Sequence, residues 1–254
     1  MSFPRQAIVL AAGLGTRLRP ATDTTPKPLL AIGARPMIEY PIRMLAAAGV
    51  EDIVVNLHHL GDRIRTALGD GAAFGVRIRY SPEDPILDTG GAIARARRLL
   101  RDEPFAVANC DTLADPDLAG MAELHEARGA LATLLVRADP DAERYGALDL
   151  DSSGRVRRFL GEPTTPLAEP LARRMFCGVH VLSPEIFSRM PSDGVFSITR
   201  DVYKPLIARG ARDELILGFD HAGYWRDLGT PQSLDDARGD VAAGRFAPCD
   251  RKSY

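Results

Sequence analysis

The stretch that decides the fold is residues 8–28, IVLAAGLGTRLRPATDTTPKP, in which an apolar strand runs directly into a loop containing two glycines. Gly13 and Gly15 allow positive φ angles, which would bring backbone N–H groups close to anionic oxygens. Arg17 offers a planar set of donors for phosphate oxygens, and Lys27 lies between two prolines that stiffen its backbone. The stretch therefore predicts a loop that binds a polyphosphate, and a nucleotide site is the first hypothesis.

Two familiar nucleotide motifs do not fit this loop. The dinucleotide-binding fingerprint needs a third glycine three residues after the second, and that position is Leu18. The phosphate loop of NTPases ends in Gly-Lys-Ser/Thr, whereas Gly15 is followed by Thr-Arg. A lone Gly-x-Gly after a strand is also common in ordinary tight turns, so the glycines alone do not show whether the loop binds a nucleotide. The informative feature is the whole string GxGTRLxPxTxxxPKPL over residues 13–29.

Strand-like and helix-like segments alternate through the first half of the chain. The predicted strands there are 6–11, 52–57, 76–80 and 104–109, and the predicted helices are 36–48, 60–68, 90–101 and 117–128. Further strands are predicted at 131–138, 145–151, 154–160 and 175–182, with helices at 199–209 and 231–243. Pro41 predicts a displaced start or a kink in its helix, and Gly49 and Gly129 are typical of helix ends. The pattern predicts an α/β fold, a Rossmann-like three-layer α/β/α arrangement with a mostly parallel sheet and a smaller β-rich portion.

Composition excludes several classes of protein. The formal net charge of −2 over 254 residues gives no reason to expect binding to nucleic acid or to an acidic membrane. No apolar run approaches the roughly 18 residues that a membrane span needs, and the beginning of the chain lacks the pattern of a secretion signal. Three distant cysteines indicate neither a disulfide framework nor a zinc site. We therefore expect a cytoplasmic protein, and a single domain over residues 1–254.

Two aspartates that are far apart in the sequence are candidates for a metal site. Asp111 comes after the strand that ends at Asn109, and Asp227 lies in the segment GYWRDLGTP. Mg²⁺ prefers one or two carboxylates together with phosphate oxygens and water, so such a pair could hold it beside a nucleotide. Each aspartate could equally belong to a turn or a helix cap, and spacing alone favours that simpler interpretation.

With these motifs in place, the chain resembles the nucleoside-triphosphate:sugar-1-phosphate nucleotidyltransferases, the enzymes that make sugar nucleotides. The resemblance covers residue 6 to about residue 240. It is strongest toward short bacterial enzymes similar to mannose-1-phosphate guanylyltransferase and to N-acetylmuramate 1-phosphate uridylyltransferase. It implies the nucleotide-diphospho-sugar transferase fold, with a nucleotide-binding half at 1–130 and a sugar-phosphate-binding half at 131–245.

The resemblance also implies roles for individual residues. Arg17, Lys27 and Asp111 would be catalytic, and Asp111 and Asp227 would hold Mg²⁺ as the cofactor. The nucleotide would be bound by Leu10, Ala11, Ala12, Gly13, Gly15, Thr16 and Arg17, and by Asp88, Thr89 and Gly90 around its base. The sugar would be bound by Asn109, Gly146, Glu162 and Gly178. Asp88 or Thr89 could also be a helix N-cap, and the two interpretations are compatible.

The chain departs from the family pattern at two places. Cys110 stands where relatives usually have glycine, and the segment Gly-Glu-Pro at 161–163 lacks the lysine that many relatives place on the sugar phosphate. Arg200, Lys204 and Arg226 are candidates to replace that lysine. The expected partners are thus small molecules, an NTP and a sugar 1-phosphate, without nucleic acid or membrane, for a monomer or a small homo-oligomer.

The expected reaction converts NTP and sugar 1-phosphate into NDP-sugar and pyrophosphate (EC 2.7.7 type), for cell-envelope polysaccharide synthesis. The mannose-type guanylyltransferases are favoured, with the muramate-type uridylyltransferases and heptose 1-phosphate guanylyltransferases as alternatives. Two alternatives from other classes remain. A glycosyltransferase would usually carry an Asp-x-Asp motif, which is not found after Asp111, and a non-catalytic regulatory subunit would more naturally have lost Arg17, Lys27 or an aspartate.

Overall fold

The computed structural model of the protein describes residues 3–164, 170–211 and 213–247. Its strands are β1 Gln6–Leu10, β2 Ala31–Ile32, β3 Arg35–Pro36, β4 Asp52–Leu57, β5 Arg77–Pro82, β6 Phe105–Asn109, β7 Thr112–Ala114, β8 Ala132–Arg137, β9 Ala147–Leu150, β10 Val156–Phe159, β11 Ala172–Leu182, β12 Ile216–Asp220 and β13 Trp225–Asp227. Its α-helices are α1 Ala21–Thr24, α2 Glu39–Ala47, α3 Gly61–Leu68, α4 Asp88–Ala96, α5 Leu118–Ala127, α6 Ala142–Tyr145, α7 Lys204–Arg209 and α8 Pro231–Ala242. A π-helix over Ile198–Tyr203 runs directly into α7.

The chain forms two compact units, and each is assembled from separate segments of sequence. The first unit contains Arg5–Ile86, Ala108–Asp115 and the chain from Gly223 onward. The second unit consists mainly of Leu87–Val107 and Pro116–Ala222. The sequence predicted two halves, divided at residue 130, according to the substrate that each would bind. The two units are defined by contacts between residues and do not test that division, so it stays a prediction.

In the first unit, parallel strands carry the glycine-containing loop. β1 pairs with β4, and β4 pairs with β5, so that Ile8 lies opposite Val54 and Val54 opposite Arg79. The helix α2 packs against β1, and α3 packs against β5. A separate small sheet joins β7 to β13 in antiparallel register, with Asp227 opposite Thr112. The core beside this small sheet combines residues that are far apart in sequence: Leu18, Leu30, Ile32, Met37, Tyr40, Leu113, Leu228, Leu234, Ala237 and Phe246.

The second unit is richer in antiparallel pairing. β8 pairs antiparallel with β11 and parallel with β12, while β11 also pairs antiparallel with β9, and β9 with β10. The register of β11 against β8 shifts between Phe176 and His180, and Gly178 within the shift has a φ of 79°. The parallel strands of the first unit, the flanking helices and this β-rich part confirm the predicted fold class.

Several element boundaries differ from the predictions for identifiable reasons. The helix predicted at 36–48 begins at Glu39, which places Pro41 in the first turn, where its missing N–H is not needed. Gly49 and Gly129 follow helix ends with φ angles of 99° and 56°, as predicted. The sequence reading missed β2, β3, β7, β12 and β13. Within the described residues, no helix combines the length and the apolar character that a membrane crossing requires.

Candidate active site

Gly15 shapes the loop that follows β1. Its φ is 65°, in the left-handed region that favours glycine, and a Cβ atom there would lie 2.9 Å from the Cβ of Lys27 and from the Cγ2 of Thr22. The hydroxyl of Thr22 donates to the Gly15 carbonyl at 2.9 Å. The loop is therefore fixed against the residues that carry Lys27, and Thr16, Arg17 and Leu18 continue it as a 3-10 turn.

Gly13 does not adopt the positive φ that was expected of it. Its φ lies outside the left-handed region, and a Cβ atom would meet nothing within 4 Å. The backbone nearby is held by polar contacts that the sequence reading missed. The buried Ala11 N–H donates to Asn56 Oδ1 at 2.6 Å, and Asn56 Nδ2 donates to Glu83 Oε1 at 2.7 Å. The sequence signal for these contacts was Asn56, a polar residue in the largely apolar run DIVVNL.

The other backbone contacts of the loop are consistent with its predicted position. The Leu10 carbonyl accepts the N–H of Cys110 at 3.1 Å, and Ala12 is buried next to Ala11. Asn109 is the last residue of β6, two residues before Asp111. The predicted phosphate loop and the predicted metal-binding strand end are thus joined through backbone hydrogen bonding within the first unit.

Lys27 is buried and pairs with Asp111. Its ammonium group donates to Asp111 Oδ2, and the exposed fractions of the two side chains are 10% and 22%. Burial acts to lower the pKa of Lys27, but Asp111, Cys110 and Asp227 outweigh burial, so that the pKa lies above its usual value. The lysine is therefore a fixed positive charge at the end of β6.

Asp227 reaches the same place from the far end of the sequence. The pairing of β13 with β7 places it opposite Thr112, and the N–H of Leu228 donates to the Asp111 carbonyl at 2.9 Å. Burial raises the pKa of Asp227, and the negative charge of Asp111 raises it further, while Lys27, the Gly229 N–H and Arg17 oppose the shift. Two carboxylates thus lie close enough to repel each other.

Gly229 makes room for Arg17 beside Asp227. A Cβ atom at Gly229 would lie 2.7 Å from Asp227 Oδ1 and 2.8 Å from Arg17 Nη2. The structure therefore brings together Arg17, Lys27, Asp111 and Asp227, the four residues on which the predicted chemistry depends. The need for Gly229 was missed, although it lies inside the segment GYWRDLGTP that the sequence singled out.

The donor set of this cluster suits Mg²⁺. Among the described residues, no group of three or more His, Cys, Asp or Glu side chains is placed to hold a metal ion. Zinc usually takes three or four nitrogen or sulfur ligands, whereas Mg²⁺ takes one or two carboxylates and completes its shell with phosphate oxygens and water. Asp111 and Asp227 fit that second pattern.

Cys110 is a buried residue with an inert thiol. Burial, and secondarily the charge of Asp111, raises the pKa of Cys110 to about 12. Because the thiolate is the reactive form, the neighbouring aspartate makes this cysteine a poor nucleophile. Cys177 is also free and buried, and Cys249 lies outside the described residues.

In the second unit, the residues predicted to meet the base shape the start of α4. Asp88 has a φ of 58° and accepts from Arg200 Nη2 at 3.0 Å, and Thr89 Oγ1 accepts the N–H of Ile198 at 3.0 Å. A Cβ atom at Gly90 would lie 2.4 Å from the ring of Phe196. The expected cap is wrong, since α4 starts at Asp88 itself and its N-cap position is Leu87, without a side-chain hydrogen bond.

The residues predicted to meet the sugar also lie in the second unit, apart from Asn109. Gly146 ends α6 with a φ of 105°, and its carbonyl accepts the N–H of Phe176 at 3.3 Å. The carboxylate of Glu162 forms an ion pair with Lys204, Nζ to Oε1, at 3.4 Å. Glu162, which is predicted to bind the sugar, is thus paired with one of the candidates to replace the missing lysine.

The other two candidate cations are engaged elsewhere. Arg226 donates to Asp240 at 2.6 Å and forms an ion pair with Asp236 at 3.2 Å. Arg200 is held by Asp88. Of the three candidates that the sequence left open, Lys204 is therefore the one that pairs with Glu162.

Comparison with known proteins agrees with this geometry. A family model described as nucleotidyl transferase matches residues 6–244. The chain is 33% identical over 238 residues to mannose-1-phosphate guanylyltransferase of Mycobacterium tuberculosis, an alignment that covers 94% of this chain and 65% of that protein. It is 37% identical over 238 residues to N-acetylmuramate alpha-1-phosphate uridylyltransferase of Neisseria meningitidis serogroup B, covering 92% of this chain and 96% of that protein.

A solved structure shows the same fold. The crystal structure of HddC from Yersinia pseudotuberculosis, complexed with GMP-PN, matches with a TM-score of 0.74 at 23% identity. The match covers 94% of this chain and 100% of that chain. The likeness extends over nearly the whole of both molecules.

Proposed function

The chain belongs to the nucleotidyl transferase family, and from this premise we propose that it makes an NDP-sugar and pyrophosphate from an NTP and a sugar 1-phosphate. The observation that carries the proposal is the cluster of Lys27, Asp111 and Asp227 with Arg17 beside it. Two cations and two carboxylates at one point suit a reaction in which phosphate charge is moved and neutralised.

The proposed reaction needs no protein nucleophile. A phosphate oxygen of the sugar 1-phosphate attacks the α-phosphorus in line, the new P–O bond forms, and the bond to the β-phosphate breaks with its electrons leaving on pyrophosphate. Lys27 neutralises charge at the α-phosphate, and Arg17 does so at the leaving phosphates. Mg²⁺, held by Asp111 and Asp227, would supply further charge neutralisation. The protein's contribution is therefore positioning and electrostatics.

We propose that Lys204 binds the phosphate of the sugar 1-phosphate in place of the missing family lysine. Its pairing with Glu162 supports this assignment, because a carboxylate that accepts sugar hydroxyls and an ammonium that meets the phosphate would then lie side by side. Arg200 pairs with Asp88 and Arg226 pairs with Asp236 and Asp240, none of which is a residue predicted to bind the sugar. In the part of the site that binds the sugar 1-phosphate, Lys204 thus supplies the positive charge that a lysine at another position supplies in many relatives.

Mannose 1-phosphate with GTP is the substrate pair we favour, and N-acetylmuramate 1-phosphate with UTP is the second candidate. The segments MFCGVHVLSPEIF at 175–187, SITRDVYKPLI at 197–207 and GYWRDLGTP at 223–231 favour the first. The higher identity and the 96% coverage of the Neisseria relative favour the second. Since NTPs are cytoplasmic metabolites, we place the reaction in the cytoplasm, with the product used for cell-envelope polysaccharide.

The test is pyrophosphate release by purified protein with Mg²⁺, across GTP, UTP, dTTP, CTP and ATP and a panel of sugar 1-phosphates. The panel contains mannose, glucose, N-acetylglucosamine, N-acetylmuramate and a manno-heptose. Release in one combination supports the proposal and identifies both substrates. Nucleotide binding without release in any combination would favour a regulatory subunit, and sugar transfer from an NDP-sugar would favour a glycosyltransferase.

A further inference from the structure

A cavity of about 570 Å³ lies in the second unit, between α4 and the loop at 192–194. Leu87, Gly91, Arg95 and Arg98 line it at intervals of three or four residues, so one face of the helix and its 3-10 continuation forms a wall. The volume falls within the range of about 300–1,000 Å³ that small-molecule sites occupy. The cavity is therefore large enough for a metabolite.

The lining of this cavity is positively charged. Arg95, Arg97 and Arg98 line it together with a single acidic residue, Asp193. Arg97 lies over the ring of Phe187, 5.2 Å from its centroid. Neither Arg95 nor Arg98 forms an ion pair within the part of the chain that the structure describes. The cavity therefore carries more positive than negative charge, with three arginines and one aspartate in its lining.

One polar atom in the cavity wall is buried without a partner. The Nε of Arg95 is shielded from solvent and has no hydrogen-bond acceptor among the described residues. Buried guanidinium donors are nearly always paired, because an unpaired donor destabilises the folded protein. The Arg95 guanidinium is therefore not committed at Nε to an acceptor among the described residues.

The loop that forms the cavity wall opposite α4 is held close to the helix by backbone hydrogen bonds. The N–H groups of Gly90 and Gly91 donate to the Phe196 carbonyl at 2.9 and 3.1 Å, and the Phe196 N–H donates to the Leu87 carbonyl at 3.2 Å. A Cβ atom at Gly91 would lie 2.2 Å from the Gly194 carbonyl oxygen, so the loop sits directly on the helix. A ligand would therefore meet a preformed surface, which lowers the cost of binding.

We propose that this cavity binds the phosphate group of a small phosphorylated metabolite, with Arg95 and Arg98 as the main contacts. Guanidinium groups match phosphate oxygens in geometry as well as in charge. The proposal goes beyond the proposed function and does not depend on it, since none of the cavity residues belongs to the cluster around Lys27. The simpler alternative is that the arginines only stabilise the C-terminal end of α4.

The test is isothermal titration with inorganic phosphate as the probe. Wild-type protein should show a binding component that Arg98→Gln weakens at least tenfold and that Arg95→Gln/Arg98→Gln removes. Arg95→Lys, which keeps the charge but lacks the planar guanidinium group, should weaken the same component several-fold. Arg101→Gln is the matched control, because Arg101 follows the same helix but pairs with Glu103, and it should bind as wild type.

Arg17→Ala separates this site from the proposed active site. The cavity component should survive in Arg17→Ala, because Arg17 belongs to the other phosphate-binding region. If Arg17→Ala removes all phosphate binding, or if the folded double variant binds phosphate as strongly as wild type, the proposal is wrong. Arg98→Gln alone, at an exposed side chain, keeps the test valid if the double variant does not fold.

Discussion

Lys27 and Lys204 each place an ammonium group on a carboxylate, but their surroundings differ. In the pair of the first unit, Lys27 is 10% exposed and Asp111 is 22% exposed. In the pair of the second unit, Lys204 is 24% exposed and Glu162 is 62% exposed. The first pair is therefore desolvated and fixed by its surroundings, whereas solvent screens the second and leaves its carboxylate free to reorient.

This difference indicates how the two pairs divide the work of the proposed reaction. A charge that must be in position as the transition state forms is best held in a buried, preorganised setting. A charge that only has to hold a substrate can lie in a more exposed one, where different sugars are accommodated by small movements. The comparison predicts that substitutions in the first pair lower kcat, while those in the second raise KM.

The largest effect is expected from Lys27→Met. Loss of a preorganised charge at the reacting phosphate should lower kcat by about 10²–10³. Asp227→Asn should have an effect of similar size, and both variants should retain a cooperative unfolding transition. Steady-state pyrophosphate release measures kcat, and normal turnover by either folded variant would contradict the assignment of this cluster.

A smaller effect is expected from Lys204→Met. The KM for the sugar 1-phosphate should rise about tenfold, the usual size for one exposed charged contact, with kcat changed only slightly. Arg200→Gln is the control, and its KM for the sugar 1-phosphate should stay near the wild-type value. A fall in kcat as large as that of Lys27→Met would show that the two lysines are equivalent and would break the comparison.

Acid should destabilise the second unit, which holds two buried histidines with lowered pKa values. Burial lowers the pKa of His180 to about 3, and burial, partly offset by Glu185, lowers that of His125 to about 4. Below about pH 6.5 the unfolded chain takes up protons at these residues that the folded protein does not, so stability falls as the pH falls. Each histidine should add a slope of up to about 1.4 kcal/mol per pH unit, until the pH reaches its folded pKa.

Urea unfolding between pH 7 and pH 4.5 measures this slope. His125→Gln and His180→Gln should each flatten the dependence, although they also change the packing and so alter stability at pH 7. Val195→Ala, at an exposed residue that carries no titratable group, should leave the slope unchanged. An equal slope in all four proteins would show that the buried histidines are not responsible.

The smallest effect concerns the two glycines of the loop. Gly15→Ala should destabilise the protein by about 1–2 kcal/mol, because alanine resists the left-handed φ and its methyl group would press on Lys27 and Thr22. Gly13→Ala faces open space and should change stability little. Urea unfolding of both variants tests the contrast, and equal losses would mean that the loop is not set by Gly15.

The fold was predictable where apolar runs are long. The strands around 6–11, 52–57 and 104–109 were found because they contain four to six consecutive buried residues, which leaves a clear signal. β7 and β13 have three residues each, too few for any periodicity to emerge. Their pairing is a tertiary contact between segments more than a hundred residues apart, and local pattern cannot reveal it.

The candidate site was predictable in its residues but not in its arrangement. Arg17, Lys27, Asp111 and Asp227 were identified from motifs, yet only the pairing of β7 with β13 explains why the aspartates meet. The contact of Lys27 with Asp111 left no sequence signal. The positive φ expected of Gly13 was wrong because the spacing of glycines does not reveal which of them takes the left-handed conformation.

The first unit is assembled from separate segments of sequence, and this affects how the protein folds during its synthesis on the ribosome. The core around Leu18 and Tyr40 is completed by Leu228, Leu234 and Phe246, which are translated long after those two residues. A nascent or prematurely terminated chain that stops before β13 would expose this apolar surface and would lack Asp227. Incomplete copies should therefore be inactive and should be recognised by chaperones and proteases, so that the segment from β13 to Phe246 acts as a check that synthesis has passed this point.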